Sequence, residues 1–416
     1  MSILIKDVLL EGKKTSILVE GNKIAEIGTK AKAEDTIDGR GKAAMPGLIN
    51  THTHAAMTLL RGYADDMNLQ EWLEKYIWPV EAKMTEDDVY WGTRLACLEM
   101  IKTGTTCFQD MYWHLDGVAK AVEESGIRGM ISSVFIDKFS QDSVKEQRKN
   151  AEKQVKNAKN SSRVKICLGP HAIYTVTEDS LEWVKDFADE HKLHINIHLS
   201  ETKKEVDDCV KEHGKRPVEY LDSIGFLGPN LTCAHCVWLN EKEMQMMARH
   251  DVSISHCPTS NMKLAVGGSL DYAGLKKAGV TVALGTDGTS SNNSLDMFQS
   301  MKFAALLQKH HYNDTTLLPA DEAFKMATIE GAKALGLNTG AIREGALADI
   351  ALIDLKRPEM TPLHHMTSNL VYAANGSCVD TVICDGKILM KGRKVKDEEG
   401  MIEKAGEVAK DLVRRK

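Results

Sequence analysis

The sequence predicts an α/β protein, a (β/α)8 TIM barrel carrying a small β-sandwich built from both chain ends. Three observations lead to this fold class. The chain has 416 residues, 43% of them apolar, which suits a barrel of about 250 residues with an appendage. Hairpin patterns occupy both ends of the chain, and strands alternate with helical stretches between them. The predicted units are 1–45 with 337–416 for the sandwich, and 46–336 for the barrel.

The hairpin patterns begin with short apolar runs at Ile3–Ile5, Ser16–Val19 and Ile24–Ile27, separated by turns that contain glycine. They return after Gly336, where an Asp-Gly pair at 385 and 386 separates two further apolar runs. Asp-Gly is a strong two-residue turn signal. We therefore expect the two ends to combine into one β unit, followed by a surface helix from Asp397 onward.

Eight strand candidates occupy the middle of the chain, and eight parallel strands close a barrel. They are Ala44–Asn50, Thr106–Met111, Ile127–Phe135, Val164–Gly169, His194–Leu199, Leu231–His235, Val252–His256 and Val280–Gly285. The stretches between them have helical punctuation. Thr85 with Asp88 is a capping signal, and Gly104 ends the same predicted helix.

Bulk properties exclude several classes of function. The net charge is −6, with basic and acidic residues interleaved, so we expect no nucleic-acid partner. The first residues lack the apolar core of a signal peptide, and no apolar run reaches membrane-spanning length. We therefore expect a cytoplasmic protein that acts on a small molecule. Nine scattered cysteines indicate reduced thiols.

Three motif-based alternatives are weak. Cys233 and Cys236 form the one CxxC, but no second CxxC completes a zinc ribbon, and the pair lies in an apolar run. The H-x-E and P-C-x-x-C strings of the base-editing deaminases are absent. No G-x-G-x-x-G follows a strand, which argues against nicotinamide chemistry.

A set of polar residues follows the predicted barrel strands, where TIM-barrel active sites lie. His52 and His54 follow the first strand, and residues two apart in an extended segment point the same way. His198 ends the fifth strand, and Asp287 follows the eighth. Three imidazoles and a carboxylate suit Zn²⁺, with Fe²⁺ as the alternative. One such histidine pair can be chance, whereas four residues at separate strand ends predict a metal site.

The surrounding motifs resemble those of the amidohydrolase superfamily. They are PGLINTHTHA, HLSET, AHCVWL, SHCPTSNMKL and LGTDGTSSNNSLDMF. More narrowly, they are similar to the methylthioadenosine/S-adenosylhomocysteine deaminase group, which includes 5'-deoxyadenosine deaminases. The similarity runs over nearly the whole chain. It implies a hydrolytic deaminase that replaces the 6-amino group of an adenosine-type nucleoside with oxygen.

The resemblance also implies roles for individual residues. His52, His54, His198 and Asp287 match the ligands of one divalent metal ion, which lowers the pKa of water from about 16 to about 7. Glu201 matches a proton shuttle that protonates adenine N1. His235 matches a histidine that, with Asp287, orients or deprotonates the attacking water. Glu201 and Asp287 are therefore implied to contact the substrate as well.

Two more residues match the substrate side of the family's site. Glu81 matches a glutamate that accepts hydrogen bonds from the ribose hydroxyls, and His171 matches a substrate-contacting histidine. Relatives that act on S-adenosylhomocysteine carry an arginine near the end of strand three, where this chain has Ser133. We therefore expect a short or uncharged 5' group, as in 5'-deoxyadenosine, methylthioadenosine or adenosine, with S-adenosylhomocysteine left open.

Two other functions are kept as alternatives. The first is another amidohydrolase that acts on a free base or s-triazine, such as a guanine or cytosine deaminase or a chlorohydrolase. Glu81 and His171 disfavour it, because such substrates have no ribose. The second is an inactive barrel used as an assembly protein, which the complete ligand set disfavours. A homo-oligomer is implied by the resemblance alone.

Overall fold

The computed structural model describes residues 2–138, 141–157 and 161–415, without the side chains of 141–143. The chain begins with five strands. These are β1 (Ser2–Leu10), β2 (Lys13–Glu20), β3 (Lys23–Ile27), β4 (Asp35–Asp38) and β5 (Lys42–Pro46). No helix in the described ranges is both long and apolar enough to cross a bilayer.

Eight further strands follow, with helices between them, within the described residues. The strands are β6 (Leu48–Thr53), β7 (Thr105–Met111), β8 (Arg128–Phe135), β9 (Val164–Pro170), β10 (Ile195–Leu199), β11 (Leu231–His235), β12 (Ser253–His256) and β13 (Thr281–Leu284). All neighbouring pairs from β6 to β13 are parallel. The amide of Asp287 donates to the carbonyl of His52 (3.0 Å), so the last strand meets the first and the predicted barrel is confirmed.

The helices of the described chain lie mainly between the barrel strands. A 3-10 helix (Ala55–Leu60) comes first, and a short helical segment follows, made of α1 (Leu69–Glu71), a π-helical stretch (Trp72–Ile77) and α2 (Trp78–Glu81). It is followed by α3 (Glu86–Lys102), α4 (Leu115–Ser125), α5 (Gln141–Asn157), α6 (Glu178–His191), α7 (Lys203–His213), α8 (Pro217–Ser223), α9 (Glu241–Arg249), α10 (Pro258–Lys263), α11 (Tyr272–Ala278), α12 (Met297–His311), α13 (Ala320–Met326) and α14 (Ile329–Ala334). Thr85 caps α3 in a capping box with Asp88, as the sequence predicts.

The chain ends with a return to the first sheet. The last elements are β14 (Ile350–Asp354), α15 (Met366–Tyr372), β15 (Val379–Cys384), β16 (Lys387–Met390) and α16 (Glu398–Leu412). β5 pairs antiparallel with β14, which joins strands from both chain ends in the sheet order β16-β15-β14-β5-β1-β2-β3, with β4 beside β1. The second unit built from both ends is thus confirmed, while its limits at 45/46 and 336/337 stay a prediction.

The first barrel strand differs from the predicted Ala44–Asn50. The chain divides there at Gly47, with β5 in the terminal sheet and β6 in the barrel. A Cβ atom at Gly47 would lie 2.1 Å from Oγ1 of Thr106, so a side chain at this crossing would collide with β7. Consequently His52 lies within β6 rather than after it.

Two buried cores stabilise the two units. The terminal sheet packs its own apolar cluster, which includes Ile3, Ile17, Val19, Ile350 and Leu352. The barrel strands are buried on both faces, as expected where helices cover a parallel sheet. At the start of β8, the buried Arg128 binds Asp385 (3.0 Å) and Asp349 (3.5 Å). This ion-pair cluster links the barrel to the terminal sheet.

Candidate metal and nucleoside site

Five side chains meet at the carboxyl ends of the barrel strands. His52 ends β6 with its neighbour Thr53, and His54 follows directly. His198 lies in β10, and His235 is the last residue of β11. Asp287 follows β13 by three residues. Because parallel strands end at one rim, residues far apart in sequence converge here.

The distances between these groups are short. Nε2 of His54 lies 3.3 Å from Nε2 of His198 and 3.2 Å from Oδ1 of Asp287. Nε2 of His52 lies 3.6 Å from the same oxygen. Two ligand triplets, His52-His54-His198 and His52-His235-Asp287, each have their donor atoms within 4.8 Å of one another. The cluster therefore brings together all four predicted metal ligands and His235.

Hydrogen bonds to backbone carbonyls outside the cluster determine which ring nitrogen of His54 and His198 faces it. Nδ1 of His54 lies 2.7 Å from the carbonyl of Met111, and Nδ1 of His198 lies 2.7 Å from the carbonyl of His171. A carbonyl only accepts, so each Nδ1 carries a hydrogen, and each Nε2 presents a lone pair when its ring is neutral. Nε2 of His52 is buried without a hydrogen-bond partner among the described residues. Such a nitrogen-rich donor set fits a divalent metal ion.

Asp287 is the anionic part of the cluster. Its Oδ2 accepts hydrogen bonds from Ser260 (2.5 Å) and Ser291 (3.0 Å), which leaves Oδ1 facing His52 and His54. Burial raises the pKa of Asp287, but its hydrogen bond to His54 and the nearby imidazoles hold that pKa well below the ordinary value. Burial likewise opposes charge on His54, yet Asp287 raises the pKa of His54 to about 9. The cluster is electrostatically suited to positive charge.

Glu201 and His235 lie beside the cluster. Oε1 of Glu201 is 3.8 Å from Nδ1 of His235, and Nδ1 of His235 is 2.8 Å from Oδ1 of Asn261. Both Glu201 and His235 are buried. Burial raises the pKa of Glu201, with His235 acting in the opposite direction. A raised pKa favours the protonated carboxyl form that a general acid needs.

The site backbone is strained at three positions. Ser200, His235 and Asp287 have φ angles of 50°, 70° and 65°. Non-glycine residues avoid this left-handed region unless the surroundings impose it, and such outliers concentrate at functional sites. The strain turns the chain sharply at the ends of β10, β11 and β13. As a result, the side chains of His235 and Asp287 face the cluster.

A cavity of about 570 Å³ opens above the cluster. Its polar lining includes His171, Glu201, Asp287 and Glu81. Much of the remaining wall is apolar, with Leu69, Trp72, Leu73, Trp78, Met84, Trp113, Val134, Ile136 and Leu264. No lysine or arginine of the described chain lines it. The volume is that of a typical small-molecule site.

Glu81 and His171 lie on different walls of this cavity. Glu81 accepts a hydrogen bond from the hydroxyl of Tyr112 (2.7 Å). Burial raises the pKa of Glu81, and this hydrogen bond opposes the rise. Burial lowers the pKa of His171 to about 3, so its ring is neutral at physiological pH. A cavity lined by both a neutral imidazole and an acceptor carboxylate can bind a ligand rich in hydroxyl groups and ring nitrogens.

Ser133, the residue expected at the position of the relatives' arginine, lies outside the cavity lining. Ser133 is buried and does not line the cavity, whereas Val134 and Ile136 do. Alternation along β8 explains the difference, since adjacent side chains of a strand point to opposite faces. The side chain near the end of β8 that faces the cavity is therefore the apolar Val134.

Sequence reasoning missed several residues that support the site. Ser260, Asn261 and Ser291 lie within the quoted motifs, but nothing in a single sequence shows which of those polar residues touches Asp287 or His235. Asp110 was also missed. Its Oδ1 accepts hydrogen bonds from Thr53 Oγ1 (2.8 Å) and the Ala55 amide (2.7 Å), on both sides of His54.

The chain was compared with known proteins. The model of the amidohydrolase family matches residues 43–389. The 5-methylthioadenosine/S-adenosylhomocysteine deaminase 1 of Archaeoglobus fulgidus is 51% identical over 95% of each chain. A 5'-deoxyadenosine deaminase of Methanoregula boonei is 49% identical over 100% of this chain and 96% of its own.

Solved structures agree with these sequence matches. The zinc-bound crystal structure of an adenosine deaminase from Xanthomonas campestris has a TM-score of 0.94 and 35% identity, covering 99% of both chains. Both the family model and the relatives span the barrel and strands of the terminal sheet. This chain therefore belongs to the amidohydrolase family, in the group that contains the methylthioadenosine/S-adenosylhomocysteine and 5'-deoxyadenosine deaminases.

Proposed function

We propose that this chain is a zinc-dependent hydrolytic deaminase of adenosine-type nucleosides. The reaction replaces the 6-amino group with oxygen, so that nucleoside and water give the inosine analogue and ammonia. One observation carries the proposal. The His/Asp cluster forms the floor of a cavity whose wall holds Glu81, a carboxylate suited to a ribose diol. The names of the relatives support the same activity.

His52, His54, His198 and Asp287 would hold the metal ion. We favour zinc because three imidazoles and a carboxylate suit it, and because the similar adenosine deaminase structure contains zinc. When bound, such an ion makes hydroxide available from water at neutral pH. The lysine in β9, Lys165, is exposed and does not line the cavity. Lys165 is therefore not placed to bridge two metal ions, and we propose a site for one ion.

The protein residues would supply the proton transfers. Glu201, in this proposal, gives a proton to adenine N1, which makes C6 more electrophilic. After taking up a proton released by the attacking water, it helps protonate the departing amino group, which leaves as ammonia. His235 and Asp287 orient or deprotonate the attacking water. Asn261 fixes the ring of His235 through Nδ1, which leaves Nε2 of His235 free to accept a proton.

Glu81 and His171 would bind the nucleoside. Glu81 can accept from both ribose hydroxyls, and Tyr112 holds this carboxylate in place. The 5' group would meet the apolar wall. Because no lysine or arginine of the described chain lines the cavity, a 5' substituent with a carboxylate loses solvation without gaining a guanidinium or ammonium partner. We therefore favour 5'-deoxyadenosine, methylthioadenosine and adenosine over S-adenosylhomocysteine.

A substrate panel tests the proposal. Ammonia release would be measured with these four nucleosides and with guanine, cytosine and melamine, on protein of known metal content. We expect turnover of the nucleosides, with S-adenosylhomocysteine at least about tenfold poorer in kcat/KM. Turnover of a free base or triazine alone would favour the other amidohydrolase activities. Folded protein with neither metal nor turnover would favour an inactive assembly protein.

A further inference from the structure

The helix that follows Glu201 begins with an unusual version of the capping box. In the usual arrangement, the glutamate at the third helical position accepts a hydrogen bond from the amide of the N-cap residue. Helix α9 follows this rule, since the amide of Asn240 donates to Glu243 (3.0 Å). Helix α7 has the same pattern in Thr202 and Glu205, and the Thr202 side chain does cap the Glu205 amide (3.1 Å).

The carboxylate of Glu205 is directed elsewhere. Its Oε1 accepts from the amide of Ser200 (2.8 Å), and its Oε2 accepts from the amide of Glu201 (2.8 Å). Glu205 therefore reaches past its own N-cap to the two consecutive peptide groups that lead into Glu201. We call this pair of hydrogen bonds the Glu205 clamp.

The clamp acts on a strained and buried turn. Ser200, at the end of β10, has a φ angle of 50°, which only the surrounding structure can impose on a serine. Ser200, Glu201 and Glu205 are all buried, so water cannot replace a lost partner of these amides. Two buried N–H donors with no acceptor would drive the turn to rearrange. The orientation of the Glu201 side chain depends on that turn.

We propose that Glu205 is a positioning residue for Glu201. By fixing both peptide groups before the Glu201 Cα atom, it keeps the Glu201 carboxylate in the cavity, 3.8 Å from His235. The inference rests on the proposed function, in which Glu201 carries the proton. Glu205 does not line the cavity, so it affects proton transfer only through the position of Glu201. A small displacement of a catalytic group can cost about a hundredfold in rate.

Glu205→Gln tests the clamp. Glutamine has nearly the same shape, but it offers one acceptor oxygen, and its amino group points a donor at the second amide. We expect kcat per bound metal to fall about 10- to 100-fold, with KM within roughly twofold of wild type and unchanged metal content. Hydrogen exchange in a peptide covering Leu199–Thr202 should accelerate at least about tenfold.

Glu243→Gln is the matched control, because Glu243 is an equally buried capping glutamate one barrel unit farther along the chain. We expect it to lower thermal stability but to keep kcat per bound metal. Glu205→Asp keeps the negative charge, but its shorter side chain cannot reach both amides. We expect its kcat per bound metal to lie between those of wild type and Glu205→Gln. This variant also serves if the glutamine variant does not fold.

Two results would overturn the proposal. One is wild-type kcat per bound metal in folded Glu205→Gln or Glu205→Asp protein. The other is an equal loss of kcat in Glu205→Gln and Glu243→Gln, which would assign Glu205 a structural role only. Failure of the proposed function is distinguishable, because the wild-type enzyme itself would then not release ammonia from adenine nucleosides.

Discussion

Oδ1 of Asp287 lies 3.2 Å from Nε2 of His54, across the seam where the last barrel strand meets the first. The neighbouring backbone bond from Asp287 to the carbonyl of His52 closes the same seam. Closure of the barrel and assembly of the metal cluster therefore use the same few residues. A substitution at this seam can therefore change metal binding and folding together.

Glu201→Gln should retain the metal and lose most turnover. Glutamine keeps the size of Glu201 but cannot carry the proton, and general acid–base catalysis contributes roughly 100- to 10,000-fold. Metal analysis and kcat measured on one preparation would test this. Glu212→Gln is the control, because Glu212 lies on α7 and does not line the cavity. Wild-type turnover in Glu201→Gln would rule out the assigned proton shuttle.

His198→Ala should lose metal affinity. This variant removes one imidazole from the His52-His54-His198 triplet, and metal sites with a missing ligand bind far more weakly. Metal content after dialysis against a weak chelator would measure the effect. His194→Ala changes a histidine directly before the same strand, β10, and should retain the metal. Full metal occupancy in His198→Ala would contradict the proposed ligand set.

Tyr112→Phe should weaken nucleoside binding. It removes the hydroxyl that donates to Glu81, and a hydrogen bond to a charged group is worth about 1.5–3 kcal/mol. We expect KM to rise about 10-fold or more, with a smaller change in kcat. Tyr90→Phe removes a similar hydrogen bond, to Glu124, outside the cavity and should not change KM. An unchanged KM in Tyr112→Phe would argue against Glu81 as the ribose ligand.

Arg128→Met should destabilise the fold without changing the chemistry. The variant leaves Asp349 and Asp385 buried near one another without their shared partner. Removing one member of a buried ion pair costs about 3–5 kcal/mol in the free energy of unfolding. Denaturant unfolding and kcat per bound metal would measure the two effects. Arg40→Met, which breaks an exposed pair with Asp38, should change stability little.

His256→Phe should make the fold less sensitive to acid. Burial lowers the pKa of His256 to about 3, below its ordinary value of 6.5. Between about pH 6.5 and pH 3, His256 is therefore protonated in the unfolded chain but stays neutral in the folded chain. Its contribution lowers the free energy of unfolding progressively as the pH falls through this range. Unfolding midpoints across this pH range should fall less in His256→Phe than in wild type. The exposed His310→Gln variant should follow the wild-type curve.

Much of the fold was predictable because its signals are local. Strand β11 spans the predicted Leu231–His235, and the capping box at Thr85 is set by residues three apart. The break at Gly47 was not predictable from periodicity, because the apolar run continues through it. It depends on the close approach of Thr106, a contact that exists only after two sheets have packed.

The family and fold class of this protein were predictable from its amino-acid sequence. Its strand–helix alternation, its motifs and its His/Asp set predicted a barrel of the amidohydrolase family and the residues that meet in its cavity. The contacts that hold those residues in place were not predictable and are seen only in the folded chain. The orientation of Asp287 by Ser260, of Glu81 by Tyr112 and of the Glu201 turn by Glu205 depends on contacts between segments. Hydrogen-bond partners follow from three-dimensional distance and direction, which residue spacing along the chain does not specify.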